Sequence, residues 1–206
     1  MPDFIYLASQ SPRRGQLLDQ LGVRHLPLLA NAPGDQPEDA EALEQVARGE
    51  APATYVQRIT GLKLDAALAR RERRGLAAAP ILCADTSVAL GREILGKPQD
   101  AQDAARMLAR LSGREHRVLS AVALQLDGQR RLTALSVSRV RFAPLSARQI
   151  DAYVASGEPL GKAGAYAIQG AAAQHVQHLS GSYSGVMGLP LYETAQLLRL
   201  AGVLAS

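Results

Sequence analysis

Two long runs of strand-forming residues, Val118 to Leu126 and Leu132 to Phe142, meet at Asp127-Gly128, a dipeptide that favours a tight hairpin turn. A hairpin is antiparallel, so this chain cannot fold around an all-parallel sheet. The stretches before it read differently. Phe4 to Ala8 and Pro80 to Ala84 are short apolar runs of the kind found in buried strands, the second continuing through Asp85 and Thr86 to Leu90 before Gly91 permits a turn. Helical patterns lie between and after them. Ser11-Pro12 supplies an N-cap and a first-turn proline ahead of Leu17, Leu18 and Leu21. Ile59, Leu62, Ala66 and Ala69 recur at helical spacing until the charged run Arg70 to Arg74, which reads as a solvated helix end. Asp100 caps a helix with Asp103 in its first turn and Ala104, Met107, Leu108 and Leu111 as its stripe. Ser146 and Gln149 have the spacing of a capping box ahead of Ile150, Tyr153 and Val154. Gly161 to Gly188 reads as loop and short strand, and Pro190 opens a last helix carrying Leu191, Ala195, Leu198 and Ala201. The order predicts an α/β fold with a mixed β-sheet and flanking helices.

With 206 residues and no internal repeat, residues 1–206 are expected to form a single domain, built as two lobes around a central cleft. Asn31 to Glu50 loses apolar periodicity and reads as an insertion-like surface segment. A net charge of +4 allows an anionic ligand without singling out nucleic acid, and with 4% aromatic residues there is no evident platform for stacking bases beside Arg70 to Arg74. No membrane span is expected, since Arg, Asp or Gly breaks every apolar stretch. Cys83 is the one cysteine and Met1-Pro2-Asp3-Phe4 is no basic leader, so a reducing cytoplasm is the expected compartment.

Several residues stand out for their chemistry. Ser9-Gln10-Ser11-Pro12-Arg13-Arg14 puts two arginines in the first turn of a helix, where the dipole disfavours cations by ~0.3–1 kcal/mol each; either they point to solvent or an anion such as phosphate compensates. Asp85 follows four apolar residues in a strand, where a carboxylate must be paired, hydrogen-bonded or metal-bound. With Thr86 beside it and Lys97 after the turn, Asp85 is placed to hold a divalent cation or activate water, unless it merely caps a turn. Lys63 and Arg58 border a helical stripe, from which each either enters a cleft or snorkels to water. Lys162 and Gln169 lie among small residues, as expected where backbone approaches a ligand closely or turns tightly. His175 and His178 have no third ligand nearby and read as surface histidines. There is no G-x-x-x-x-G-K-[ST] or G-x-G-x-x-G phosphate motif, and Gly181-Ser182-Tyr183-Ser184-Gly185 has tyrosine where a serine elbow needs its nucleophile.

Taken together, Leu7-Ala8-Ser9-Gln10-Ser11-Pro12-Arg13-Arg14, Ala84-Asp85-Thr86, Leu95-Gly96-Lys97-Pro98, Leu111-Ser112-Gly113, Lys162-Ala163-Gly164-Ala165-Tyr166, Ile168-Gln169-Gly170 and Gly188-Leu189-Pro190-Leu191 resemble the Maf family in order and spacing. The resemblance implies a Maf/Ham1 (ITPase-like) fold, frequently as a homodimer. It also implies hydrolysis of a nucleoside triphosphate to the monophosphate and pyrophosphate, dependent on Mg²⁺ or Mn²⁺. Asp85 resembles the family's catalytic acid, as general base or metal ligand. Arg13, Thr86 and Gln169 resemble its substrate-selecting positions, and Ser9, Arg14, Lys63, Lys97 and Lys162 complete the substrate-binding set. The Ala-Asp-Thr and Ile-Gln-Gly forms resemble the branch acting on dTTP and UTP. Two positions depart from the family pattern: Gly161 stands where an aspartate is usual, and Ala32-Pro33-Gly34 where a glutamate is usual, with Asp35 the nearest acid. Fewer carboxylates predict weaker metal binding, and they motivate a second reading, a catalytically weakened nucleotide- or nucleic-acid-binding regulator of septum formation.

Overall fold

The computed structural model describes residues 3–31, 43–126 and 130–205. Its strands are β1 (Ile5–Leu7), β2 (His25–Pro27), β3 (Ile81–Leu90), β4 (Glu93–Leu95), β5 (Glu115–Gln125), β6 (Arg131–Phe142) and β7 (Val176–Ser180). Its helices are α1 (Pro12–Gln20), α2 (Pro52–Arg73), α3 (Ala101–Leu111), α4 (Ala147–Ala155), α5 (Tyr183–Met187) and α6 (Leu191–Leu200). The strands form one seven-stranded mixed sheet in the order β2-β1-β3-β5-β6-β7, with β4 folded back on β3. β1 runs parallel to β2 and β3, while β3, β5, β6 and β7 are antiparallel neighbours. The hairpin read from the sequence is therefore the spine of the sheet, although Asp127-Gly128 falls outside the described residues. Among the described residues no helix is long and apolar enough to cross a membrane.

Strand alternation sorts the core. Leu82 and Ala84 of β3, opposite Leu124 and Val122 of β5, face α1 and α6 and pack with Leu17, Leu18, Leu197 and Leu198. Ile81, Cys83 and Ala89 point the other way, toward Leu64, Ala67 and Ile59 of α2. Farther along β3, Val88 joins Val118, Phe142, Tyr166 and the stripe of α3 in another apolar cluster. The geometry that matters most is an early ending. β1 pairs with β3 only as far as Leu7 opposite Leu82, and β4 begins to pair at Val88, so among the described residues no strand lies beside residues 83–87 of β3 on that edge.

Several local readings hold, and others need correction. The Asp100 carboxylate accepts from the Asp103 amide at 2.7 Å, and Ser146 and Gln149 form the full capping box. Ser11 is the N-cap of α1 by backbone position, but its hydroxyl does not cap; its own amide donates to Ser9 Oγ at 3.1 Å. The buried stripe of α2 is Val56, Ile59, Thr60, Leu64 and Ala67, not Leu62, Ala66 and Ala69, because leucine and alanine on every side leave the phase of this helix undefined. α2 also continues through the basic run to Arg73. Arg70 is only 5% exposed and donates to Leu28 O at 2.8 Å, while Arg71 and Arg74 reach the carbonyls of Ala79 and Leu29. These arginines satisfy loop carbonyls at the sheet edge, so the run is not a solvated helix end. His175 is buried beside the Tyr153 ring, and only His178 is exposed. The glycine-rich stretch holds α5 and two 3₁₀ turns besides the expected strand.

Candidate active site

Where β1 stops short, a cleft of about 550 Å³ opens over the unpaired part of β3. Its walls bring together Ser9, Arg13 and Arg14 from the β1–α1 turn, Lys63 from α2, Asp85 and Thr86 from β3, Lys97 after β4, and Lys162 before the first 3₁₀ turn. Gln169 is not among them. It is exposed on a turn closed by the Gly170 amide on Ala167 O and does not line this cleft. Arg58 also stays out, held in a two-pronged ion pair with Glu50.

Alternation decides what Asp85 meets. It shares the α2 face with Ile81 and Cys83, and Lys63 reaches it with Nζ at 2.5 Å from Oδ1. The same ammonium lies 2.8 Å from Glu44 Oε1, and Lys97 Nζ lies 2.9 Å from Glu44 Oε2. Two lysines and two carboxylates thus form one chain of charge-assisted bonds. Burial disfavours both charged forms, but the partners outweigh it. Desolvation works against the Lys63 ammonium, yet Asp85 and Glu44 raise its pKa above the ordinary value. Desolvation likewise pushes the Glu44 carboxyl up, yet Lys63 and Lys97 hold it below the usual carboxylate range. Tyr55 steadies the Glu44 backbone by donating to its carbonyl at 2.9 Å.

Glu44 is the site residue that sequence reasoning missed. It belongs to the segment read as surface insertion, which has no periodicity to signal a role; the nearer candidate Asp35 lies outside the described residues. Gly161 lines the cleft at φ +71°, in the left-handed region that disfavours side chains, and carries no carboxylate to the site.

The arginines of α1 divide their work. Arg14 donates from Nε to Gly188 O at 2.8 Å and from Nη1 to Ser9 Oγ at 3.0 Å, which ties the start of α1 to the turn after α5. Arg13 has a buried Nε with no hydrogen-bond partner, and burial followed by the neighbouring Arg14 lowers its pKa, with Glu158 opposing. A guanidinium with an unmet donor at a helix N-terminus is arranged for an anion. Six cationic side chains line the cleft, Arg70 among them, against the carboxylates of Asp85 and Glu44. The surplus suits a polyanion such as a triphosphate.

The donors also fit a hard divalent cation. Asp85 and Glu44 already hold one ammonium nitrogen between them, and Mg²⁺ or Mn²⁺ typically takes one or two carboxylates, completing its shell with phosphate oxygens and water.

The chain matches the family model described as Maf-like protein over residues 4–201. A protein of Polaromonas sp. strain JS666 named dTTP/UTP pyrophosphatase is 66% identical over 201 residues, covering 98% of this chain and 97% of its own. One of Albidiferax ferrireducens with the same name is 64% identical over 202 residues, covering 98% of each. The crystal structure of a nucleoside-triphosphatase, dITP/XTP pyrophosphatase, from Mycobacterium abscessus aligns over 68% of this chain and 75% of its own, with 21% identity and a TM-score of 0.41. With a match that runs through every wall of the cleft, this chain belongs to the Maf family.

Proposed function

We propose that this chain hydrolyses dTTP and UTP to the nucleoside monophosphate and pyrophosphate, using Mg²⁺ or Mn²⁺. The observation that carries the reading is the bridge of Lys63 between Asp85 and Glu44, at the floor of a cleft whose remaining charges are cationic. The names of the relatives at 66% and 64% identity supply the substrates.

Substrate entry replaces one set of charge pairs with another. Asp85 and Glu44 would hold the divalent cation, and Lys63 and Lys97, freed from those carboxylates, would bind phosphate oxygens. When bound, the cation neutralises phosphate charge and polarises the phosphorus under attack. Arg13 gives its unmet donor to the triphosphate, and Ser9, Arg14 and Lys162 close the anionic cradle. Asp85 Oδ1, the oxygen that Lys63 bonds in this structure, is then the one to face the cation, which leaves Oδ2 to accept a proton from water. The water oxygen bonds to the α-phosphorus, the bond to the bridging oxygen breaks, and pyrophosphate leaves.

The test is pyrophosphate release from dTTP, UTP, CTP, GTP and 7-methyl-GTP with either metal. We expect release from dTTP and UTP, lowered about 10²–10⁴-fold in Asp85→Asn with the fold retained. Full activity in that variant would remove Asp85 from the mechanism. Silence across the panel, with nucleotide still bound, would overturn hydrolysis in favour of a binding role.

A further inference from the structure

Between the two apolar clusters on the α1 and α6 face of the sheet lies one polar cross-strand pair, Thr86 opposite Ser120. Their hydroxyl oxygens are 2.8 Å apart, and Ser120 Oγ also lies 2.6 Å from the carbonyl oxygen of Gly185 in α5. Proton accounting fixes the direction of both bonds. A carbonyl only accepts, so the single Ser120 proton goes to Gly185 O. The Thr86–Ser120 bond must then be donated by Thr86. Thr86 lines the cleft with its only proton already committed, so its Oγ1 can only accept from a ligand. A free threonine hydroxyl would rotate to either role.

Asp85 and Thr86 point to opposite faces of β3, so the charged floor and this hydroxyl serve different parts of a ligand. Around Thr86 the cleft wall is apolar, formed by Val88, Val118, Tyr166, Val186 and Met187. Such a wall suits a flat ring and a lone acceptor suits a ring N–H. Gly188 keeps the approach open: at φ +125° it would put a Cβ 3.5 Å from Arg14 Nε and 3.9 Å from Thr86 Oγ1. Ser120 is 1% exposed and does not line the cleft, so it acts through Thr86.

We propose that Ser120 is a positioning residue for base selection: by taking the Thr86 proton it makes Thr86 Oγ1 an obligate acceptor for the N3–H of a uracil or thymine ring. Cytosine offers an unprotonated N3 there, and two acceptors face each other. The inference rests on the pyrimidine triphosphatase reading and adds to it the atom that is read.

The experiment measures kcat/KM for UTP, CTP and N3-methyluridine triphosphate. The wild-type protein is expected to favour UTP and to lose N3-methyluridine triphosphate, which has no N3–H. Ser120→Ala frees the Thr86 proton, so the UTP-to-CTP ratio is expected to fall about tenfold, the scale of one hydrogen bond. A serine with a purely structural role would lower both substrates together and leave the ratio unchanged. If Ser120→Ala does not fold, Thr86→Val and Thr86→Ser decide: the first is expected to lose the ratio and the second to keep it. An unchanged ratio in Thr86→Val, or turnover of N3-methyluridine triphosphate equal to that of UTP, overturns the inference. Absence of turnover with both UTP and dTTP overturns the functional reading instead.

Discussion

Glu44 stands at the junction of the charge network and the proposed metal site. Among the described residues it is the one that bonds both Lys63 and Lys97, and with Asp85 it completes a pair of carboxylates. Glu44→Gln is expected to raise the Mg²⁺ concentration for half-maximal rate roughly 10–100-fold, the scale of a lost charged bond, as checked by metal titration at saturating UTP. The same residue sets a pH dependence. Its folded-state pKa lies below the ordinary 4.5, so the unfolded chain binds more protons in the window beneath that value. Its contribution is present above pH 4.5 and is lost as pH falls through the folded value. Lys63 has the opposite sign: its pKa is raised above 10.5, so its contribution holds below that pH and is lost as pH rises through the folded value. Urea denaturation across pH should show Glu44→Gln with a weaker acid loss than the wild type. An identical acid limb in both proteins would count against the charge network.

At the scale of elements, the turn after α4 locks onto β3. Gly164 sits at φ +68° with its amide on Gly96 O at 2.9 Å, and a Cβ there would lie 2.8–2.9 Å from three atoms of Val88. Gly164→Ala is expected to destabilise the protein by roughly 1–3 kcal/mol, read as a lower urea midpoint at unchanged slope. The elements differ in how openly the sequence announces them. α3 and α4 were legible because side-chain caps and stripes agree, and β5 and β6 because long apolar runs flank a turn dipeptide. β2 and β4 are three-residue strands that exist only through partners already in place, and α5 is five residues in a glycine-rich stretch. Local pattern cannot reveal them. The phase of α2 was lost for the opposite reason, an excess of apolar positions. Asp85, Lys63 and Lys97 were legible because each is a charge where burial or restraint demands an account. Gln169 was expected in the site by family likeness and does not line the cleft, whereas Glu44 and Ser120 become visible only when distant segments are brought together.

For the whole molecule, the cleft holds more positive than negative charge, so filling it should stabilise the fold. A non-hydrolysable UTP analogue with Mg²⁺ at about 100 times its Kd adds about 2.7 kcal/mol, which at this size corresponds to roughly 5–10 °C in Tm. Differential scanning fluorimetry checks this, and the shift should shrink with added salt because the cleft is partly open. A salt-independent shift would mean that the cations do not hold the ligand. The early end of β1 has one more implication. Unpaired strand backbone is a template on which another chain can add itself, and sheets ordinarily hide or shorten such edges. Here Ala84, Asp85 and Thr86 of that stretch line a cleft rimmed by arginines and lysines, whose surplus charge is answered by a small polyanion and not by an ordinary peptide. The opening that admits a nucleotide is thereby kept closed to polymerisation.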